Sequence, residues 1–214
     1  MGTEQKLIIL GAGGQGRVVA DVAAQTGRYT QIGFLDDNAE LGDGRLPYPL
    51  LGGFSDFEKW IGRAEFTVAV GDNLIREAVQ TRLTDAGASM ATLIHPRAFV
   101  ASRVTLGEGT VLMAGAVVNV DVVIGRGVIV NTCASVDHDG RIGDFCHVGV
   151  GAHLAGSVRM GERSMIGAGA AVRNNTDICA DCIVGAGAAV VCSLTEPGVY
   201  IGVPARRMRS DRTD

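Results

Sequence analysis

Four histidines, one glycine-rich turn and one closely spaced cysteine pair are the residues of this 214-residue chain whose types can do chemistry. The turn is Gly-Ala-Gly-Gly-Gln-Gly at 11–16, preceded by the apolar run 6–10 and followed by 17–25 at helical spacing. Strand, glycine turn and helix in that order aim backbone N–H groups and a helix N-terminus at one spot. Gly11, Gly13, Gly14 and Gln15 are therefore candidate contacts for a phosphate or nucleotide, with a tight turn before a helix as the plainer alternative. Asp36 and Asp37 close the next apolar run, where they can accept from a ribose hydroxyl or a base N–H, or stand as a solvated turn. Cys179-x2-Cys182 has half the spacing of a zinc site, but no second such pair and no nearby His completes it, so no metal is expected. Five cysteines is an odd number in a chain with no export signal, which favours reduced thiols and a cytoplasmic location.

The elements that must position the turn form a small α/β unit. Strand runs at 6–10, 29–35 and 65–70 alternate with helical spacing after the first and third, and a further apolar stretch, 90–94, stops at His95-Pro96. The order implies a Rossmann-like parallel sheet, with any ligand at the carboxyl ends of the strands, close to Gly71 after the third. About 95 residues are too few for the two βαβαβ halves of a full dinucleotide domain, so nicotinamide chemistry is disfavoured.

The rest of the chain is built differently. Of 26 Val, 20 lie at or after position 100, and Gly reaches 31 residues while aromatics are 5%. Stepping by six from Val100 to Val190 meets only aliphatic residues, among them Leu106, Ile124, Val148, Met160 and Ile178. Four residues after each lies a second position, usually small, as at Thr110, Ala116, Gly140, Cys146 and Cys182. Six residues make one short strand and a corner, three such units close a triangular coil, and coils stack at about 4.8 Å. The sixteen hexads give a parallel β-helix a little over five coils tall. Gly often follows the aliphatic residue directly, as at Gly125 and Gly167, where little bulk is tolerated. The domains are thus 1–96, 97–195 as β-helix, and a C-terminal tail, 196–214. A net charge of −4 without a basic block speaks against nucleic acid and anionic membranes as partners, and no apolar run is long enough to span a bilayer.

The hexads with the ending Gly-Val-Tyr-Ile-Gly-Val-Pro-Ala-Arg (198–206) resemble the hexapeptide-repeat acyltransferases. The glycine turn, Phe-Leu-Asp-Asp (34–37), Val-Gly-Asp-Asn (70–73), Leu-Ile-His-Pro (93–96), Asn-Thr-Cys-Ala-Ser-Val-Asp-His-Asp (131–139) and Gly-Ala-His-Leu-Ala-Gly (151–156) narrow it. Together they resemble the bacterial nucleotide-sugar N-acetyltransferases that acetylate a 4-amino sugar on the path to diacetylbacillosamine and related glycans. The likeness covers almost the whole chain. It implies a left-handed β-helix, acetyl-CoA as co-substrate, and a nucleotide-linked amino sugar, UDP-linked in preference (a UDP-N-acetylbacillosamine precursor, for example), held by the N-terminal domain. The sibling sialic acid O-acetyltransferases, and a non-catalytic scaffold that binds nucleotide sugars, are the alternatives.

The resemblance also distributes roles. His138 is the expected general base with Asp139 as its acidic neighbour, while His147, Gly167, Ala168, Gly185 and Ala186 are expected along acetyl-CoA. Gln15 stands where the family often has His; it donates and accepts but takes up no proton. Because strand neighbours point to opposite faces, His138 and Asp139 pair only if the coil turns between strands there. Nine residues separate His138 from His147, half an eighteen-residue coil, so they share a site only between facing subunits, as in a homotrimer. His95 reads as a structural hydrogen-bonder at the domain junction, and His153 as a surface-corner residue without a role.

Overall fold

The computed structural model describes residues 5–38, 40, 44 and 46–208. Residues 1–4 and 209–214, given above to the first domain and the tail, lie outside the described residues. Strand β1 (Lys6–Leu10) leads through the glycine turn into α1 (Gly14–Gln25), β2 (Gln31–Leu35), β3 (Glu65–Val68), α2 (Asn73–Asp85) and β4 (Ser89–Met90). The sheet order is β2-β1-β3-β4 and every pair is parallel. β1 is apolar on both faces because both are covered: Leu7 and Ile9 pack towards α1, Ile8 and Leu10 towards Phe66 and Leu83. Helix α1 turns its Val19, Ala20, Val22 and Ala23 stripe inward and stops at Gly27, whose φ of +68° suits the left-handed end of a helix. Helix α2 starts at Asp72, whose carboxylate accepts the Ile75 N–H at 2.9 Å.

The second half is a three-faced parallel β-solenoid. Its faces carry five, eight and six strands, and up to the last coil each strand residue pairs with the one eighteen positions on, as Val123 with Arg141, Ile129 with His147 and Ser135 with His153. The hexad aliphatics from Leu112 to Val190 are all buried in one core, and the second positions fill the space between them. Burying each such side chain is worth about 1.5–3 kcal/mol, so a repeat of small units supports itself only when stacked.

The corners have a rule of their own. Every sixth residue from Arg103 to Gly187 has a positive φ, and nine of these are not glycine. At most of these corners, from Gly127 to Gly187 without exception, the N–H reaches a carbonyl one coil back, as Asp139 to Val120 at 3.1 Å and Ser157 to His138 at 2.8 Å. That repeated bond offsets the left-handed backbone that side chains resist. The glycines directly after the aliphatic residue are not left-handed; a Cβ at Gly125, Gly143 or Gly167 would run into the backbone of the next coil.

Both ends differ from the sequence reading. Leu93–Ile94 already pair with Val111–Leu112, so the solenoid starts before His95-Pro96 and the fourth sheet strand is the short β4. At the other end Gly198–Ile201 add a strand beside Cys182–Val184 and fold back antiparallel onto Arg206–Arg207, so much of the expected tail caps the coil. A sixteen-residue step, from Ile178 to Leu194 and from Val184 to Tyr200, breaks the hexad count there.

Candidate active site

The glycine turn and the turn after β3 meet at the switch point of the sheet, where β1 and β3 are neighbours and their connections leave in opposite directions. Gly11 has φ +102° and a Cβ there would lie 3.0 Å from the Ala69 carbonyl oxygen, so only glycine lets the two turns touch. Gly16 answers the same demand, since a Cβ would strike the Gly11 carbonyl. Gly13, Gly14 and Gly71 face open space instead, and no side chain caps the α1 N-terminus. Its first amides therefore point at an uncovered surface suited to an anion. Gln15 adds a buried Nε2 without a hydrogen-bond partner among the described residues.

The aspartates after β2 are engaged within the chain. Asp36 accepts the Ala12 N–H at 2.7 Å and the Asn38 N–H at 2.9 Å, and Asp37 accepts the Phe54 N–H at 2.7 Å. Asp36 thereby sets the shape of the glycine turn, and its carboxylate has two internal donors before any ligand arrives.

Arg76, which the sequence did not single out, rivets the two domains. It is 1% exposed and projects from α2 into the solenoid. Its guanidinium donates to the carbonyls of Gly127 (2.8 Å), Phe145 (2.7 Å) and Val70 (3.0 Å) and to Asn73 Oδ1 (2.8 Å). Burial lowers its pKa to about 10, so the group remains a cation at neutral pH. Asn73 Nδ2 in turn donates to the Arg163 carbonyl at 2.8 Å.

His147 lies beside this rivet on the eight-stranded face and is 8% exposed. Asn131 Oδ1 accepts the Thr132 N–H, which turns Asn131 Nδ2 towards His147 Nε2 at 3.0 Å. The ring nitrogen facing that amide must accept, so Nδ1 carries the proton, and Nδ1 is buried at the Gly71 backbone. Burial first, then the Arg76 charge, pushes its pKa down to about 4, with the Gly71 backbone partly opposing. The imidazole is neutral, and within one chain it is covered by the domain junction. Beyond it Gly71, Asp72, Asn73 and Leu74 face Arg163, Met165, Asp181 and Ile183 across a cleft of about 210 Å³.

His138 and Asp139 occupy a corner between the six-stranded and five-stranded faces. Asp139 is one of the left-handed residues, with φ +60°, and this turn brings its Oδ2 to 2.8 Å from His138 Nδ1. A carboxylate only accepts, so Nδ1 carries the proton and Nε2 keeps its lone pair. Asp137 accepts the His138 N–H at 2.8 Å and the Asn119 side chain at 2.7 Å, which fixes the backbone of the corner. The His138 pKa is raised, first by the bond to Asp139 and then by the Asp137 charge, and the ring is exposed. A raised pKa on an accessible imidazole is the property a proton acceptor needs near neutral pH.

The structure brings Gly11–Gln15, Gly71 and His147 to one side of the molecule. His138 with Asp139 stands on a different face. Ala168 and Ala186 stack on one exposed edge beside the left-handed Gly169 and Gly187, whereas Gly167 and Gly185 are set against the adjoining coil. His95 is 3% exposed and its Nδ1 accepts the Arg97 N–H at 2.9 Å. His153 lies in a strand rather than at a corner, with Nδ1 2.9 Å from Ser135 Oγ. Cys146 and Cys182 are buried in the small inward slots. The sequence does not single out Asn131; its carboxamide sits two residues past the position stacked below His147, a relation that needs the coil register to be seen.

A family model for the PglD N-terminal domain matches residues 6–83. UDP-N-acetylbacillosamine N-acetyltransferase of Bacillus subtilis (strain 168) is 34% identical over 114 residues, 51% of this chain and 52% of that protein, so the match spans about half the curated relative's length. Among solved structures, the acetyltransferase domain of PglB from Neisseria gonorrhoeae FA1090 is 41% identical with a TM-score of 0.91, covering 96% of this chain and 100% of that one. The same domain is known in complex with acetyl coenzyme A. PerB from Caulobacter crescentus, in complex with CoA and GDP-perosamine, is 37% identical with a TM-score of 0.88, covering 95% of this chain and 97% of that one. Histidine-to-asparagine and histidine-to-alanine mutants of that perosamine N-acetyltransferase have the same two ligands.

Proposed function

We propose that this chain, which belongs to the hexapeptide-repeat family of nucleotide-sugar N-acetyltransferases, transfers an acetyl group from acetyl-CoA to the amino group of a nucleotide-linked amino sugar. The observation that carries this reading is the His138–Asp139 pair, an exposed imidazole with Nδ1 tied to a carboxylate and Nε2 free. The relatives' names and ligands supply the substrate class: bacillosamine and perosamine nucleotides, acetyl-CoA and CoA. A UDP-linked 4-amino sugar is the favoured acceptor. No helix among the described residues is long and apolar enough to cross a membrane; the setting we infer, from acetyl-CoA and a sugar nucleotide as substrates, is cytoplasmic.

The chemistry follows from the nitrogen. A sugar ammonium has no lone pair, so the amine must be neutral to attack the thioester carbonyl carbon. His138 Nε2 accepts the proton the nitrogen sheds as the C–N bond forms and the C–S bond breaks, and it returns that proton to the departing thiolate. Asp139 holds the ring in the tautomer that can do this and stabilises the imidazolium. The exposed α1 N-terminus at Gly13 and Gly14 would hold the diphosphate, with Asp36 keeping that turn in shape and Asp37, Gln15 and Gly71 around it. The edge of Ala168 and Ala186 leaves room for the extended arm of acetyl-CoA, and its small side chains suit that fit. His147, neutral and buried, orders the junction next to that arm.

His138 lies on a different face from the sugar-nucleotide turn, so one chain alone does not gather the groups. A homotrimer, in which each His138 faces the cleft of a neighbour, completes the site. The test is release of free thiol from acetyl-CoA across a panel of UDP- and GDP-linked amino sugars, with sialic acid as the O-acetylation control. Turnover with an amino-sugar nucleotide is expected. Turnover with sialic acid alone, or none with any acceptor, would overturn the reading.

A further inference from the structure

Within the Gly-Ala-His-Leu-Ala-Gly segment, the final glycine has no left-handed backbone to explain it: Gly156 sits in the corner turn but lies outside the residues of positive φ. Its register gives the reason. Gly156 is eighteen residues after His138, so it occupies the same corner one coil further on, and Ser157 N–H donates to the His138 carbonyl at 2.8 Å. A Cβ built on Gly156 would lie 2.5 Å from His138 Nε2, 2.6 Å from Cε1 and 3.2 Å from Cδ2. The imidazole therefore rests directly over the Gly156 backbone, in the space where any other residue would put its side chain. The same column holds Val120 before and Asn174 after, so the gap is specific to the position above His138.

We propose that Gly156 is a positioning residue for His138: its missing side chain is the seat on which the imidazole lies flat enough to keep Nδ1 on Asp139 and Nε2 facing the substrate. The inference rests on the reading of His138 as the base. Two constraints act on the ring, the carboxylate at Nδ1 and the floor beneath Nε2 and Cε1, and together they leave one orientation. A methyl group on the floor cannot coexist with that orientation, because Cβ atoms do not approach ring atoms to 2.5 Å; the ring must tilt or swing away. The groups around the ring are Asp137 and Asp139 on its own coil, with Arg103, two coils below and bonded to Asp121 on the coil between, acting on Asp139 from a distance. Among the described residues no cation contacts the imidazole itself, so tilting it off Asp139 removes a proton-stabilising partner and replaces it with nothing.

Gly156→Ala is expected to lower kcat roughly 10²-fold, the scale of an ångström-level misplacement of a reacting group, with the KM for acetyl-CoA unchanged. The acidic limb of its pH–rate profile should move to lower pH, because the ring has lost its carboxylate, and NMR titration of the His138 resonance should show the same shift. Asn174→Ala, one coil further on, should change neither. A normal kcat with an unshifted His138 titration in Gly156→Ala would overturn the proposal while leaving the base untouched. His138→Asn, assayed alongside, separates the two readings: if it retains near-normal kcat, the base assignment fails on its own account. Thermal melting supplies a readout independent of activity. If alanine at 156 destabilises the fold, the cause must be the ring, so His138→Ala/Gly156→Ala should melt no lower than His138→Ala alone; a drop in the double variant would refute the seat.

Discussion

Replacing Arg76 by Met should loosen the joint between the domains, and the size of the effect follows from the groups left behind. The aliphatic stem is kept, so the loss is confined to the guanidinium. Its removal strands the buried carbonyls of Gly127 and Phe145, which have it as their side-chain partner, along with Val70 and Asn73 Oδ1 at the edge of the junction. Each fully buried orphan costs about 1–3 kcal/mol. Opposing this, the protein no longer hosts a desolvated cation, whose burden shows in a pKa lowered to about 10. The net loss is about 2–4 kcal/mol, comparable to breaking a buried charge network, and for a chain of this size it lowers Tm by about 4–16 °C. Calorimetry of Arg76→Met is the assay. A second signature is expected in function: the Val70–Asn73 turn is held to the solenoid through this side chain, so KM for the sugar nucleotide should rise while KM for acetyl-CoA moves less. Arg76→Lys should fall between, because an ammonium cannot span the same carbonyls. A Met variant that melts within about 2 °C of the parent, with unchanged kinetics, would refute the view that Arg76 couples the domains.

His138→Asn should lower kcat by roughly 10²–10⁴ with acetyl-CoA binding nearly unchanged, as read by steady-state kinetics and calorimetric titration. Asp139→Asn should cost less and should shift the acidic limb of the pH–rate profile to lower pH, because the bond that raises the His138 pKa is weakened. For His147 the folded pKa of about 4 lies below the unfolded value near 6.5, so the unfolded chain takes up the proton first. Its contribution, about 3 kcal/mol, is present above pH 6.5 and lost as pH falls towards 4; denaturant titrations across that window should show the slope, and His147→Gln should flatten it. Asp36→Ala should weaken sugar-nucleotide binding through the turn it holds at Ala12 while sparing acetyl-CoA affinity; equal loss of both would point to misfolding. Light scattering should give a trimer, and a fully active monomer of 22.2 kDa would end the shared-site reading.

What could be read from the sequence is what repeats or what a single element demands. The hexad aliphatics are legible because each must fill the same prism, and fourteen of the sixteen, from Leu112 to Val190, are buried in one core. Gly11 and Gly16 sit in a local turn with a known mechanical need, so their spacing carries the message. Arg76 was invisible because its partners, Gly127 and Phe145, are 51 and 69 residues away and contribute only carbonyls, which every residue has. The left-handed corners were hidden for the opposite reason: Arg103, Cys133, Phe145 and Ser157 share a backbone and no side-chain chemistry. The last coil escaped because Ile178 to Leu194 is sixteen residues, and a count by six steps past it.

The corner geometry also explains how His138, the proposed base, and the carboxylate of Asp139 can pair as consecutive residues. On a straight strand His138 and Asp139 would project to opposite faces and never meet. At φ +60° the chain reverses within one residue and Asp139 swings back to the imidazole. The Asp139 N–H bond to Val120 one coil below holds that reversal, so the pair is oriented by the stacking of the solenoid rather than by a flexible loop. Stacking sets the other side of the ring too, since Gly156 stands above it by the same eighteen-residue register. A repeat whose corners are fixed from below and above offers few positions where a side chain can be aimed, but each is rigid. That rigidity is what proton transfer at a defined atom requires, and in the proposed reading it places the proton acceptor on the solenoid and leaves the turns proposed for the sugar nucleotide on a separate sheet.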